Sequence, residues 1–438
     1  MTFDPNETRF ADVLHAYARR GDISGIERVL ALGVPVDFRD RSNTSRGTAL
    51  HAAAGSPDAG IAVMEFLADR GASLEAVNEV KSCSPLWAAS RGNQLEKARW
   101  LLDRGAQVDA SGEHGYTALI GGALVAGHSK AADRLATCRL LLERGADPRR
   151  SSSYGESPLS VTSHVADWEA VRLFLEAGAL RSELEWDDLM RAIAIGSADD
   201  VAVELACLPD LSHRDRWERS AWFLAIAGGE IDKARLLLAT GFSVSAIGRL
   251  GAGVLHCALT RDNPDMIRWL ASLGADLQAA DEFSRSVLCC AAANGQKKSL
   301  KELLVRAPSG LFSENEINRA MSETQSVEVA QVLVEAGGDI DLFDLFEFIR
   351  GHAGTSRELS EEVRIILECG WDLECSRSML PLNAATETSS LETMELLLTH
   401  GADPNRQDVD ERAALSRCLT REAKELLFKS KYSRIPLY

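Results

Sequence analysis

Ten glycines set the terms on which this chain can fold. Gly33, Gly71, Gly105, Gly145, Gly178, Gly241, Gly274, Gly337, Gly370 and Gly401 each close a run in which Leu and Ala recur at helical spacing, and the intervals between them are 38, 34, 40, 33, 63, 33, 63, 33 and 31 residues. Each interval of 63 holds one degenerate unit, with Leu208 and Ala307 near the expected glycine, and a final unit follows Gly401. A period near 33 repeated about thirteen times describes an array rather than a closed core, so the usual conversion of 438 residues into two or three globular domains does not apply.

The clearest copy runs from Ser84 to Ala110. Pro85 opens it, Leu86 with Ala88 and Ala89 make a short helix, Leu95, Ala98, Leu101 and Leu102 make a second, and Gly105 stops that one. Proline at a helix start and glycine just past a helix end follow from proline's fixed φ and glycine's access to left-handed φ. Each helix spans about two turns, too little to persist alone in water, so every unit depends on stacked neighbours. A composition of 45% hydrophobic but only 6% aromatic residues suits short, closely packed Ala- and Leu-rich helices.

Several stretches give the unit a family likeness: Thr48-Ala49-Leu50-His51-Ala52-Ala53-Ala54, Ser84-Pro85-Leu86, Val254-Leu255-His256, and Pro381-Leu382 with Ala384-Ala385. The endings Leu141-Leu142-Glu143-Arg144-Gly145-Ala146-Asp147-Pro148 and Leu396-Leu397-Leu398-Thr399-His400-Gly401-Ala402-Asp403 complete it. The chain resembles ankyrin-repeat proteins over roughly residues 10 to 428. The resemblance implies an all-α solenoid of stacked helix-turn-helix units with short hairpin-like loops, curved with a concave face. The expected layout is an N-terminal segment 1–9, repeats 1–6 over 10–211, repeats 7–13 over 212–428 with a capping last unit, and a tail 429–438. Repeat 6 lacks both signature and glycine, and repeats 10 and 11 match poorly. Apolar spacing still predicts helices in repeat 6, through Leu189, Ala192, Ile193, Val201, Val203 and Leu205. Insertions lie at Ser56–Gly60 and at Ala126–Arg134, and insertions in arrays emerge as surface loops.

A formal charge of −17 and a pI near 5.1 exclude general attraction to nucleic acid or anionic membrane. Charge is uneven: nine acidic residues and one basic residue, Arg319, occupy Ser313–Glu347, whereas seven basic and two acidic residues occupy Arg412–Arg434. The acidic block is a second candidate contact, for a basic partner. Nine cysteines without a CxxC pair support neither a disulfide framework nor a zinc site. No apolar run of membrane-spanning length and no leader pattern occurs, so the expected setting is the cytoplasm.

Chemistry is sparse. His15, His51 and His256 share one repeat position, and in the family this histidine ties neighbouring turns together. No HExxH, GxSxG, Walker-type loop or strand-following GxGxxG is present. The carboxylate pairs Asp187-Asp188 and Asp199-Asp200 fall at helix starts, where acidic groups meet the dipole. Cys289 and Cys290 read as small core residues. The expectation is therefore no enzyme, no cofactor and no metal.

Family members bind partners on the concave side, made of hairpin tips and the exposed ends of first helices. On this chain those positions give Lys81 and Arg91 in repeat 3, Tyr116 in repeat 4 and Tyr154 in repeat 5. Repeat 7 adds Arg214, Arg216, Trp217 and Arg219, repeat 8 adds Arg249, Leu250 and Arg261, and repeat 9 adds Glu282, Phe283 and Arg285. Arginine interleaved with Trp and Phe is the composition of binding hot spots. The resulting expectation is a scaffold, monomeric when free, that holds one protein partner. Its alternatives are an immunity or inhibitor protein that sequesters a toxin or enzyme, and a host-targeting bacterial effector.

Overall fold

The computed structural model describes residues 9–39, 47–78, 83–124, 131–207, 209–351, 356–373, 380–388, 390–408, 413–418 and 421–433. Among them the chain forms thirteen consecutive pairs of α-helices with no strand longer than an isolated bridge. It is an all-α ankyrin-type stack, divided into two compact bodies, residues 1–184 and 185–438. Within each body most first helices of successive repeats pack on one another, and in the body 185–438 most second helices do as well.

Local chemistry explains the helix limits. Ser84, Thr117, Ser157, Ser220, Ser286 and Ser313 each accept a backbone N–H three residues on, capping their first helices. Pro85, Pro158, Pro264 and Pro381 occupy first turns, where a missing N–H costs nothing. All ten helix-stopping glycines have positive φ, from 87° at Gly274 to 109° at Gly401. At Gly105 and Gly401 no atom lies within 4 Å of where a Cβ would stand, so backbone conformation, not space, demands glycine there. In repeat 9 the second helix ends instead where Ala307 turns extended ahead of Pro308.

Repeat 6 is a helix pair, Asp188–Ile195 and Ala198–Ala206, with Leu189, Ala192, Ile193 and Val201 buried. Val203, expected on the same face, is instead 63% exposed, because two residues past Val201 lies on the opposite side of a helix. Leu208 falls outside the described residues. The insertion Ser56–Gly60 is not a free loop: Ser56 Oγ donates to Arg19 O at 2.7 Å and Ala59 is buried. In the larger insertion, residues 126–130 lie outside the described residues, and the remainder begins the long helix Ala131–Glu143.

Side chains also join repeat to repeat. His15 Nε2–H donates to Gly47 O (2.9 Å), His51 Nε2–H to Cys83 O (2.8 Å) and His256 Nε2–H to Arg285 O (3.1 Å), each reaching across to the neighbouring turn. Lys97 Nζ donates to Ala53 O at 2.9 Å and to Ser56 O, and Lys233 Nζ to Ile193 O at 2.7 Å. These buried amines take carbonyls at the C-terminal end of the preceding repeat's first helix, where acceptors lack partners and the dipole favours a cation.

Candidate functional site

The hairpin tips are closed by the same backbone hydrogen bond. In repeat 7 Asp215 N–H donates to Arg219 O (3.0 Å), in repeat 8 Gly248 N–H to Ala252 O (2.8 Å), and in repeat 9 Asp281 N–H to Arg285 O (3.0 Å). The fourth residue of each turn is left-handed, Glu218 at φ 60°, Gly251 at 71° and Ser284 at 57°, and in repeat 8 the third, Leu250, is left-handed as well at 56°. In the other body repeat 5 repeats the pattern, with Ser152 N–H on Glu156 O (2.9 Å) and Gly155 at φ 75°. In each turn the third residue stands at the apex, and the four apices are Tyr154, Trp217, Leu250 and Phe283.

Repeats 7 and 9 stiffen the turn in the same way. Asp215 Oδ1 accepts the N–H groups of Trp217 and Arg219, both at 2.9 Å, while Oδ2 accepts Arg219 Nε at 2.9 Å and Nη2 at 2.7 Å. Asp281 does the same for Phe283 N–H, Arg285 N–H and Arg285 Nε, each at 2.9 Å. Burial pushes the Asp281 carboxyl up, but the hydrogen bonds from Arg285 and Phe283 outweigh it and hold the group below the usual carboxylate range. The Asp215 side chain has no exposed surface and Arg219 retains only 13%. Arg219 and Arg285, expected as contacts, are thus the basic halves of turn staples.

The apices point outward to different degrees. Phe283 is 60% exposed and Leu250 46%, and Ile247, at the base of the repeat 8 hairpin, is 72% exposed. Trp217 is half-buried, its indole nitrogen inward, with the Arg216 guanidinium 5.1 Å over the ring. The Arg285 guanidinium stands 5.3 Å over Phe283. Arg214 and Arg249 are exposed beside these apices, and so is Glu282, whose N–H donates to Leu250 O at 3.0 Å and ties tip 8 to tip 9.

The remaining expected residues are elsewhere. Tyr116 corrects the surface reading: it is buried, its hydroxyl donates to Glu156, and burial together with that carboxylate pushes its pKa up to about 12. Its ring lies 6.4 Å from that of the exposed Tyr154, which also meets His114 at 5.7 Å. Arg91 ends the first helix Pro85–Arg91 and Arg261 follows Val254–Ala258, so both are exposed at first-helix ends rather than on tips, as the sequence leads one to expect. Lys81 lies outside the described residues. Sequence reasoning missed Ile247 and both staple aspartates, although Asp-x-x-x-Arg recurs one residue before the same hairpin position in repeats 7 and 9.

The carboxylates and thiols that stand out in the sequence hold structural places. Asp187 and Asp200 accept N–H groups at helix starts, Met190 N at 2.7 Å and Ser197 N at 2.7 Å. Burial pushes the Cys257 thiol up to about 12 and Cys290 up to about 11, away from thiolate. Among the described residues no group of three or more His, Cys, Asp or Glu could hold a metal ion, and no helix is long and apolar enough to cross a membrane.

Comparison with known proteins agrees with the geometry. A profile of the family described as "Ankyrin repeats (3 copies)" matches residues 14–112 and 189–281. The chain is 26% identical over 312 residues to "Transient receptor potential cation channel subfamily A member 1" of Drosophila melanogaster, covering 67% of this chain and 24% of that protein. It is 27% identical over 164 residues to "B-cell lymphoma 3 protein homolog" of Mus musculus, covering 37% and 31%. It is 31% identical over 150 residues to "Ankyrin repeat and SOCS box protein 6" of Homo sapiens, covering 34% of each. The chain therefore spans about a third or less of the length of these relatives.

Proposed function

We propose that this chain, an ankyrin-repeat protein, is a non-enzymatic scaffold that holds a partner protein against the hairpin-tip side of its repeats, with repeats 7 to 9 as the anchor. One observation carries the reading: Ile247, Leu250 and Phe283 are 72%, 46% and 60% exposed on the neighbouring tips of repeats 8 and 9, in a chain that buries apolar residues in every repeat. Rigid turns that hold large apolar groups out in water lose stability for nothing unless something covers them. Arg214, Arg216 and Arg249 beside them supply directional donors.

The inhibitor reading is the special case in which that partner is a toxin or enzyme, and the net charge of −17 supports it. A partner recovered by crosslinking tests the anchor. Trp217→Ala or Arg216→Ala should weaken its binding by about 2 kcal/mol, roughly 30-fold in Kd, and leave the thermal melt in place. Wild-type affinity in both variants would overturn the assignment.

A further inference from the structure

Trp217, Leu250 and Phe283 are each 33 residues apart, one on each of three successive repeats of the body formed by residues 185–438. The first helices behind them, Ala221–Gly228, Val254–Ala258 and Val287–Ala293, pack in sequence. Packed helices lie about 8–10 Å apart, so the apices recur at about that interval. The Glu282 N–H bond to Leu250 O at 3.0 Å holds two of the tips in this register.

A peptide that touches every apex with one side chain must repeat on one face at the same interval. An extended strand repeats at about 6.8 Å and turns its third residue to the other face. An α-helix offers about 6 Å at the fourth residue and about 10.5 Å at the seventh. A polyproline II segment returns to the same face every three residues, at about 9.3 Å, and alone falls inside the interval. Such segments also favour aromatic surfaces, here Trp217 and Phe283.

Charge fixes the rest of the fit. Immediately before the apex stand Arg216 in repeat 7, Arg249 in repeat 8 and Glu282 in repeat 9. The row is therefore cationic over its first two tips and anionic at the third. We propose that tips 7 to 9 bind a polyproline II segment that lays one apolar side chain on each of Trp217, Leu250 and Phe283 and sets carboxylates against Arg216 and Arg249. The proposal rests on the scaffold reading above and names its partner's chemistry.

The full chain would be titrated, by fluorescence anisotropy, against a synthetic peptide of about twelve residues. That probe carries leucine at every third position in a proline-rich frame, with two glutamates at one end. A second peptide replaces the glutamates by lysines, and a third is an alanine-based helix with leucine at every seventh position. The acidic proline-rich peptide should bind at least about tenfold more tightly than the other two. Arg249→Glu should weaken it by about tenfold or more and reverse its order with the lysine peptide. Leu250→Ala and Phe283→Ala should each cost about tenfold, while Tyr154→Ala on the other body leaves binding unchanged. These are exposed positions on three tips, those of repeats 5, 8 and 9, so a variant with an altered melt leaves the others to decide.

Tighter binding of the helical peptide, indifference to Arg249→Glu, or no binding of the acidic peptide at millimolar concentration would overturn the proposal. A native partner that depends on Phe283 and ignores all three peptides would remove the polyproline assignment and leave the scaffold reading standing. A native partner indifferent to every tip variant would remove both.

Discussion

Replacing Gly253 with serine should stabilise repeat 8, and the gain follows from comparison with its neighbours. Seven other repeats carry a hydroxyl at this position: Thr48, Ser84, Thr117, Ser157, Ser220, Ser286 and Ser313. In repeat 2 the Thr48 hydroxyl lies 2.9 Å from His51 Nδ1 and the Thr48 N–H donates to the same nitrogen at 3.1 Å. In repeat 8, His256 Nε2 faces the Arg285 carbonyl, which can only accept, so the proton is on Nε2 and Nδ1 is an acceptor. That Nδ1 is buried without a hydrogen-bond partner, and the helix Val254–Ala258 has no side-chain cap. Gly253 has φ −77° and ψ 176°, extended backbone open to any residue, and an added Cβ would meet only Ala279 Cβ at 3.8 Å and His256 Nδ1 at 4.0 Å.

Three contributions add. A serine cap exceeds a glycine cap by a few tenths of a kcal/mol. Loss of glycine's freedom in the unfolded chain contributes about 0.4–1 kcal/mol. One hydrogen bond to a buried acceptor contributes about 1 kcal/mol. The total is about 2 kcal/mol, or about 4–8 °C in Tm for a cooperative body of this size. Thermal melts would measure it, with hydrogen exchange at residues 254–262 to localise it. Gly253→Ala is the control, because it gains the unfolded-state share without a hydroxyl and gives part of it back as a poorer cap than glycine. Equal stabilisation by serine and alanine would refute the hydrogen-bond argument, and destabilisation by both would refute the steric one.

Two further outcomes are expected. Burial pushes the His51 pKa down to about 4, so between pH about 6.5 and about 4 the unfolded chain takes up a proton that the folded chain refuses; stability then falls with falling pH, by up to about 3 kcal/mol, and His51→Gln should flatten that slope in urea melts despite its lower stability at neutral pH. Asp215→Ala removes four hydrogen bonds from a side chain without exposed surface, among them the ion pair to Arg219, so it should cost roughly 3–5 kcal/mol and free Trp217, read as a red shift in its emission and faster exchange at the repeat 7 tip; a wild-type melt would show that the staple is dispensable.

What the sequence made legible is what a period can carry. The glycines at left-handed φ, the proline starts and the shared histidine recur because every repeat solves the same backbone problem, and recurrence separates them from chance. Lys97 and Lys233 escaped because a lone lysine in a helical run reads as a solvated side chain, and only the stacked neighbour supplies the carbonyls that bury it. The staples escaped for a different reason. Arginine at a tip reads as a contact, yet Arg219 and Arg285 stand four residues after an aspartate, and that spacing closes an ion pair across a left-handed turn. Arg216 and Arg249 have no aspartate four residues before them. The same periodicity that identified the fold therefore also sorts its arginines: those at the staple position hold the tip, those before the apex stand beside it, Arg216 half-buried over the Trp217 ring and Arg249 exposed, and the apices they flank inherit the 33-residue spacing that a partner must match.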